Sequence, residues 1–291
     1  MNHLKKIVIR RTLIPNGLQS KLNYTIVSNN YLVIFKKSDM SLIFMGTPEW
    51  GIPSLKAAID SGSEVSAVFT QPDRRVGRKN QLLQSPIKQF AKKEHLRVVS
   101  PENTGSSEVL KLTHSLSPEL ILVCAYGQIL NESFLKIPRI GCFNLHFSFL
   151  PKFRGASPVQ TSISQGIKNT GVSLQKMTMR LDAGPIIASS KPVEIKSNDT
   201  SISLGDRLSL IGGQLIRDTL PKLLEENFNE IEQNEKEATY CKIIKKQEGQ
   251  IKWSKESAIE IERKARAFEP WPGIFSFYQP SSNSKIVRRI K

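Results

Sequence analysis

Between residues 41 and 146, short apolar runs alternate with helix-period segments. The runs are Leu42 to Met45, Val65 to Thr70, Leu96 to Val99, Leu120 to Ala125 and Cys142 to His146. Runs this short and this apolar read as strands buried on both faces, and the helical patterns between them serve as crossovers. The alternation predicts an α/β fold with a doubly wound, mostly parallel, Rossmann-like sheet and helices on both faces. Val172 to Met177 and Ile186 to Ala188 follow as further strands. A helix with Leu204, Leu208, Ile211 and Leu215 on one stripe then closes the domain.

The 291 residues, 39% of them hydrophobic, can fill such a core, and 23% charged residues do not describe a disordered chain. The longest apolar run, Leu120 to Tyr126, is too short to cross a membrane as a helix, so no membrane association is expected. Three cysteines, Cys124, Cys142 and Cys241, lack metal-ligand spacing and lie mostly in strand-like runs. They point to a reducing compartment, with neither disulfide nor bound metal.

Four segments are expected. Residues 1–40 form a basic extension with seven Lys and Arg against Asp39, which accounts for +6 of the formal +16 charge. The extension reads either as a leader, making the protein organellar, or as a tail added by an upstream start codon, since Met40 stands just before the first strand; the protein is then cytoplasmic. The main domain covers 41–224. Residues 225–237 are polar and acidic and suit a linker or a solvated helix end. Residues 238–291 make a second unit, with a helix presenting Ala258, Ile261, Ala265 and Phe268, and a strand-like Ile274 to Tyr278. Only 13 residues follow Tyr278, too few for a complete β-barrel.

Strands buried on both faces should be apolar throughout, yet Asn144 and His146 occur two residues apart at the end of one. They share a face, at the strand terminus where open α/β sheets bind ligands. The alternative is a pair of satisfied core polar groups. Asp182, in Leu181-Asp-Ala-Gly-Pro185, taken alone is a turn former. The three types together suit acyl transfer between amines: His moves protons, a carboxylate sets its ionisation, and an Asn amide donates to a developing oxyanion. His3, His95 and His114 lie in the extension or in polar contexts, which leaves His146 as the candidate. GxGxxG, Walker, HExxH and GxSxG patterns do not occur.

Gln71 to Asn80 concentrates the basic charge in Arg74, Arg75, Arg78 and Lys79, and Lys88, Lys92 and Lys93 follow, against only Asp73 and Glu94. Such a loop suits phosphate-backbone contact or is a solvated surface loop.

The motifs FMGTPE (44–49), FTQPDR (69–74) with GR (77–78), AYGQIL (125–130), GCFNLHFSFLPKFRG (141–155) and LDAGPI (181–186) occur in this order. ATYCKII (238–244), IKWS (251–254) and RAFEPWPG (266–273) continue the series. From about residue 41 to residue 278 the chain resembles the methionyl-tRNA formyltransferases. The resemblance implies transfer of a formyl group from 10-formyltetrahydrofolate to the α-amino group of initiator methionyl-tRNA, in support of translation initiation. It implies Asn144, His146 and Asp182 as catalytic residues, and Ser148, Phe149, Leu150 and Pro151 as the folate-binding stretch. It also implies the loop bearing Arg74, Arg75, Arg78 and Lys79 as the tRNA contact, and a truncated OB-like C-terminal domain. A monomer is expected. The rival readings are a folate-dependent formyltransferase acting on a sugar-nucleotide amine, and an inactive truncated remnant.

Overall fold

The computed structural model describes residues 6–10, 24–28, 31–35, 40–76, 80–279 and 288–290. Its centre is a seven-stranded sheet in the order Ile186–Ser189, Ser173–Lys176, Gly141–His146, Leu120–Cys124, Ser41–Gly46, Glu64–Phe69, Val98–Val99. The last five in this order are mutually parallel, and the first two are antiparallel additions at one edge. All five alternating runs seen in the sequence are strands of this sheet. The chain builds outward from Ser41–Gly46 to Val98–Val99, then returns to the other side of Ser41–Gly46 with Leu120–Cys124. That reversal opens a crevice beyond the carboxyl ends of the strands.

The sheet residues sort by parity. Leu42, Phe44, Leu120, Leu122, Phe143 and Leu145 pack on one face against the helices Ile52–Asp60 and Ser201–Leu224. Ile43, Met45, Ile121, Val123 and Cys142 pack on the other, with Phe134 and Tyr126. The Ser201–Leu224 helix starts at a reciprocal cap between Thr200 and Ser203. Its buried stripe is Leu204, Leu208, Ile216 and Leu220. Ile211 and Leu215, expected on that stripe, are only half-buried, because glycines occupy the seam at this level. A Cβ at Gly205 would stand 2.0 Å from the Trp50 ring, and one at Gly213 would stand 2.8 Å from Pro53. Close helix packing here requires both glycines to lack a side chain.

Three segments depart from the sequence expectations. The first 40 residues show no clean strand period, yet Lys6–Arg10, Tyr31–Phe35 and Tyr24–Ser28 form an antiparallel sheet in that order. Each contains a β-branched run, a strand signal too short to show a period. Residues 225–237, expected as a linker or a solvated helix end, are anchored to the main domain. Ile231 exchanges backbone hydrogen bonds with Ile186 at 2.8 and 3.0 Å, and Gln233 is buried. On the Ala258–Ala267 helix, Ala258 is exposed, while Ala267 and Phe268 enter the core.

The C-terminal unit docks through polar as well as apolar contacts. Arg266 donates to the Asp199 carbonyl at 2.8 Å, Ser201 contacts the Glu269 carbonyl, and Ser157 donates to the Lys242 carbonyl at 2.6 Å. Ser276–Tyr278 pairs with Arg288–Ile290. No helix among the described residues is long and apolar enough to cross a membrane. The three cysteines are buried, unpaired thiols, and burial pushes Cys124 and Cys142 up to about 12.

Candidate active site

Asn144 and His146 leave the carboxyl end of the Gly141–His146 strand on one face, and the neighbouring antiparallel strand sets Gln175 opposite Asn144. The turn after that strand brings back Asp182, which adopts a left-handed backbone with φ 48°. Its carboxylate meets the pair directly. Oδ1 accepts from Asn144 Nδ2 at 3.2 Å and from Gln175 Nε2 at 2.8 Å. Oδ2 accepts from the Gly155 amide at 2.8 Å and faces His146 Nδ1 at 3.7 Å. The three residues expected from the sequence therefore form one cluster. The His146 and Asp182 side chains are nearly buried, and Asn144 is partly open.

The tautomer of His146 follows from its other partner. Nε2 lies 2.8 Å from the Phe153 carbonyl, an oxygen that only accepts, so Nε2 carries a proton and donates it. Phe153 has φ 58°. The nitrogen left to face the carboxylate is Nδ1.

Gly155 has two jobs. Its amide supplies the bond to Asp182, and on its other side Arg154–Gly155 pairs in parallel with Tyr240–Cys241 from the chain leading into the C-terminal unit. Its φ is +116°, and a Cβ there would stand 2.1 Å from the Cys241 carbonyl oxygen. No side chain fits this position.

The Ser148 to Pro151 stretch lies beside the cluster, with its side chains largely turned inward. Ser148 is fully buried, and its hydroxyl donates to the Lys152 carbonyl at 2.6 Å. Ser173 Oγ donates to the Ser148 carbonyl at 2.8 Å and accepts the Leu150 amide at 3.1 Å. Leu150 is buried, Pro151 is half-buried, and the half-buried Phe149 ring lies where a Cβ on Gly171 would meet it at 2.3 Å. Phe147 packs inward against Trp50, with ring centroids 6.0 Å apart.

Across the crevice, the Ala125 to Leu130 loop turns through left-handed Ala125 and Gly127, φ 50° and 92°. Thr47 Oγ1 at 2.7 Å and Gln71 Nε2 at 3.2 Å pin it by the Tyr126 carbonyl. Backbone groups of residues 127–130 find no hydrogen-bond partner among the described residues, and Ile129 is 89% exposed. Free amides and carbonyls beside an exposed apolar side chain fit a flat heterocycle with donors and acceptors on its edge.

In the basic loop, Arg74–Val76 and Gln81–Leu83 form an antiparallel hairpin. Arg74 and Arg75 are exposed and, among the described residues, bond only to neutral oxygens, Gln71 Oε1 and the Asn80 carbonyl, each at 3.2 Å. Arg78 and Lys79 lie outside the described residues. Lys88, counted in the basic excess, is ion-paired to Asp73 at 2.7 Å.

Sequence reasoning missed Gln175, Gln233, Arg154 and Gly155. Gln175 carried a usable signal, a polar residue inside the strand-like Val172 to Met177. Gln233 carried none, sitting in a run that is polar throughout. No group of three or more His, Cys, Asp or Glu among the described residues is disposed to hold a metal ion.

The formyl transferase family model matches residues 40–220, and that of the formyl transferase C-terminal domain matches 243–289. The methionyl-tRNA formyltransferase of Enterococcus faecalis is 40% identical over 245 residues, 84% of this chain and 77% of that protein. That of Alkaliphilus oremlandii is 41% identical over 82% of this chain and 77% of that protein. Among solved structures, the methionyl-tRNA formyltransferase of Clostridium thermocellum aligns with TM-score 0.54 and 20% identity over 86% of this chain and 97% of that one. The N-formyltransferase of Helicobacter canadensis, in complex with folinic acid and dTDP-3-aminofucose, aligns with TM-score 0.62 and 22% identity over 79% and 80%. At these identities the structural likeness is one of fold. The sequence identity to the curated relatives carries more, and by it the chain belongs to the methionyl-tRNA formyltransferase family of formyl-group transferases.

Proposed function

We propose that the protein transfers the formyl group of 10-formyltetrahydrofolate to the α-amino group of methionine esterified to initiator tRNA, in the cytoplasm. The observation that carries this reading is the convergence of Asn144, His146 and Asp182 at the sheet's carboxyl edge, beside a loop with free backbone groups. The bound donor supplies an activated formyl carbon. Backbone groups of residues 127–130 and the Ser148 to Pro151 stretch hold its heterocycle, and exposed Ile129 covers one side.

Asn144 has one amide hydrogen on Asp182 and a second free to donate to the formyl oxygen as charge develops there. His146, its Nε2 proton committed to the Phe153 carbonyl, presents Nδ1 as the acceptor for the proton the amine loses on attack. Asp182 then faces the new Nδ1 proton and stabilises the imidazolium, which gives that proton to the donor nitrogen as its bond to the formyl carbon breaks and tetrahydrofolate leaves. Exposed Arg74 and Arg75, with Arg78 and Lys79 beyond them in sequence, supply positive charge for the phosphates of the acceptor stem.

The test is an acceptor comparison. Protein incubated with 10-formyltetrahydrofolate and methionyl-tRNA is expected to release tetrahydrofolate stoichiometrically with formylmethionyl-tRNA, and to release none with a sugar-nucleotide amine. Release with the sugar amine alone would replace this reading with the sugar one, and no release with either would favour the remnant.

A further inference from the structure

The Asp182 turn is underpinned by a side chain from the connecting segment, and the donor polarity of that support is fixed from outside the active site. Gln233 is buried beneath the turn. Its Nε2 contacts the Asp182 carbonyl at 2.9 Å, the Gly184 carbonyl at 2.7 Å and Gln175 Oε1 at 3.3 Å, while its Oε1 accepts from Arg154 Nε at 3.0 Å.

An amide can point either way, and its neighbours decide. Arg154 has only donors, so Gln233 must turn its oxygen to the guanidinium and its nitrogen to the turn. Gln175 must then accept from Gln233 and donate to Asp182 Oδ1, as its 2.8 Å bond requires. The relay ends with a donor aimed at the carboxylate oxygen, which keeps that oxygen an acceptor. Arg154 itself is fully buried and held by Glu235 through Nη1 at 3.1 Å and Nη2 at 2.9 Å. Buried polar chains with every member satisfied are rigid, and a break in one is felt along its length.

We propose that Gln233 is a positioning residue for formyl transfer: from the segment leading to the C-terminal unit, it sets the turn and the orientation of Asp182 through two backbone carbonyls and Gln175. This rests on the reading of Asp182 as a catalytic residue.

The experiment is a double-mutant cycle on the full chain. It reads the single-turnover rate at saturating 10-formyltetrahydrofolate and methionyl-tRNA, with KM for each substrate and the melting temperature measured alongside. Gln233→Met removes the donors, and Gln233→Glu keeps the size and the contact to Arg154 while replacing the donor by an acceptor. Both are expected to lower the rate about 10-fold or more, with each KM changed less than threefold, and neither is expected to lower it further in an Asp182→Asn background. Should Gln233→Met fail to fold, Gln233→Glu, with Arg154 still paired, carries the test. A folded Gln233 variant at the parental rate, or equal losses in both backgrounds, overturns the positioning role while leaving Asp182 catalytic. An Asp182→Asn enzyme at the parental rate instead removes the reading on which it rests.

Discussion

Nδ1 of His146 stands 3.7 Å from Oδ2 of Asp182, outside hydrogen-bond range, while the opposite ring nitrogen is committed to the Phe153 carbonyl. In the neutral ring both facing atoms are acceptors, so nothing draws them together. A proton arriving at Nδ1 supplies the missing donor, and a closure of about 0.5–1 Å from the 3.7 Å separation completes the bond. The Asp182 carboxylate does not move to meet it freely, because Asn144, Gln175 and the Gly155 amide already hold it.

Replacing His146 by Ala should lower turnover by about 10²-fold or more. His146→Gln should lose as much: it keeps a donor for the Phe153 carbonyl and lacks a basic nitrogen. Equilibrium binding of 5-formyltetrahydrofolate should stay within a few-fold of the parent in both, since the loop backbone of residues 127–130 is untouched. Turnover within threefold of the parent in either variant would remove His146 from the chemistry.

Gly155→Ala tests how tightly the site is tied to the chain that follows it. The new methyl would enter the space of the Cys241 carbonyl at 2.1 Å on a backbone at φ +116°, so either the Tyr240–Cys241 pairing or the amide donated to Asp182 must yield. We expect a loss of about 2 kcal/mol or more, read as a fall in melting temperature of roughly 5 °C, and impaired turnover in the fraction that stays folded. An unchanged melting temperature would mean that the two strands separate without cost.

The strand order and the Asn144–His146 pair were legible because both depend on local pattern: apolar runs of strand length, and two polar residues at the period that places them on one face. From its own surroundings Asp182 was readable only as a turn residue, since nothing near it in sequence announces a partner 38 positions away, and it was the resemblance of the LDAGPI motif that set it with Asn144 and His146. Gln233 and Arg154 were hidden for a related reason. A buried polar network is defined by which groups satisfy one another, and in an acidic, polar stretch a side chain that turns inward looks the same as its solvated neighbours. The three N-terminal strands were missed because five-residue strands carry too few residues for a period to emerge, and the β-branched composition was the better guide.

Glu235 gives the network a pH signature. Hydrogen bonds from Arg154, with a further one from Arg180, hold its carboxyl down to about 2 from an ordinary 4.5. In the unfolded chain the group takes up its proton near 4.5, and in the folded protein only near 2. The stabilisation is therefore complete above the unfolded value and is lost as pH falls from about 4.5 toward about 2. The melting temperatures of the parent and Glu235→Gln should differ most near pH 6, with the gap narrowing below about pH 4.5 and closing only toward about pH 2. A gap that stays constant over this range would show that the carboxylate is not held by the guanidinium in solution.

The hairpin after the Glu64–Phe69 strand distinguishes available charge from charge already spent. Among the described residues Arg75 bonds only to a backbone carbonyl, whereas Lys88 is neutralised by Asp73. A cation that meets an RNA phosphate releases a counterion, so its removal weakens binding and flattens the dependence of affinity on salt. Arg75→Ala and Arg78→Ala are each expected to raise KM for methionyl-tRNA and to reduce the slope of log affinity against log salt by about 0.7–1, with KM for the folate donor unchanged. The paired replacement Asp73→Asn with Lys88→Met removes one charge of each sign and should leave that slope as it was. If the paired replacement flattens the slope as much as Arg75→Ala does, Lys88 reaches the RNA by abandoning Asp73, and the ion pair of the free protein is exchanged for a phosphate contact on binding.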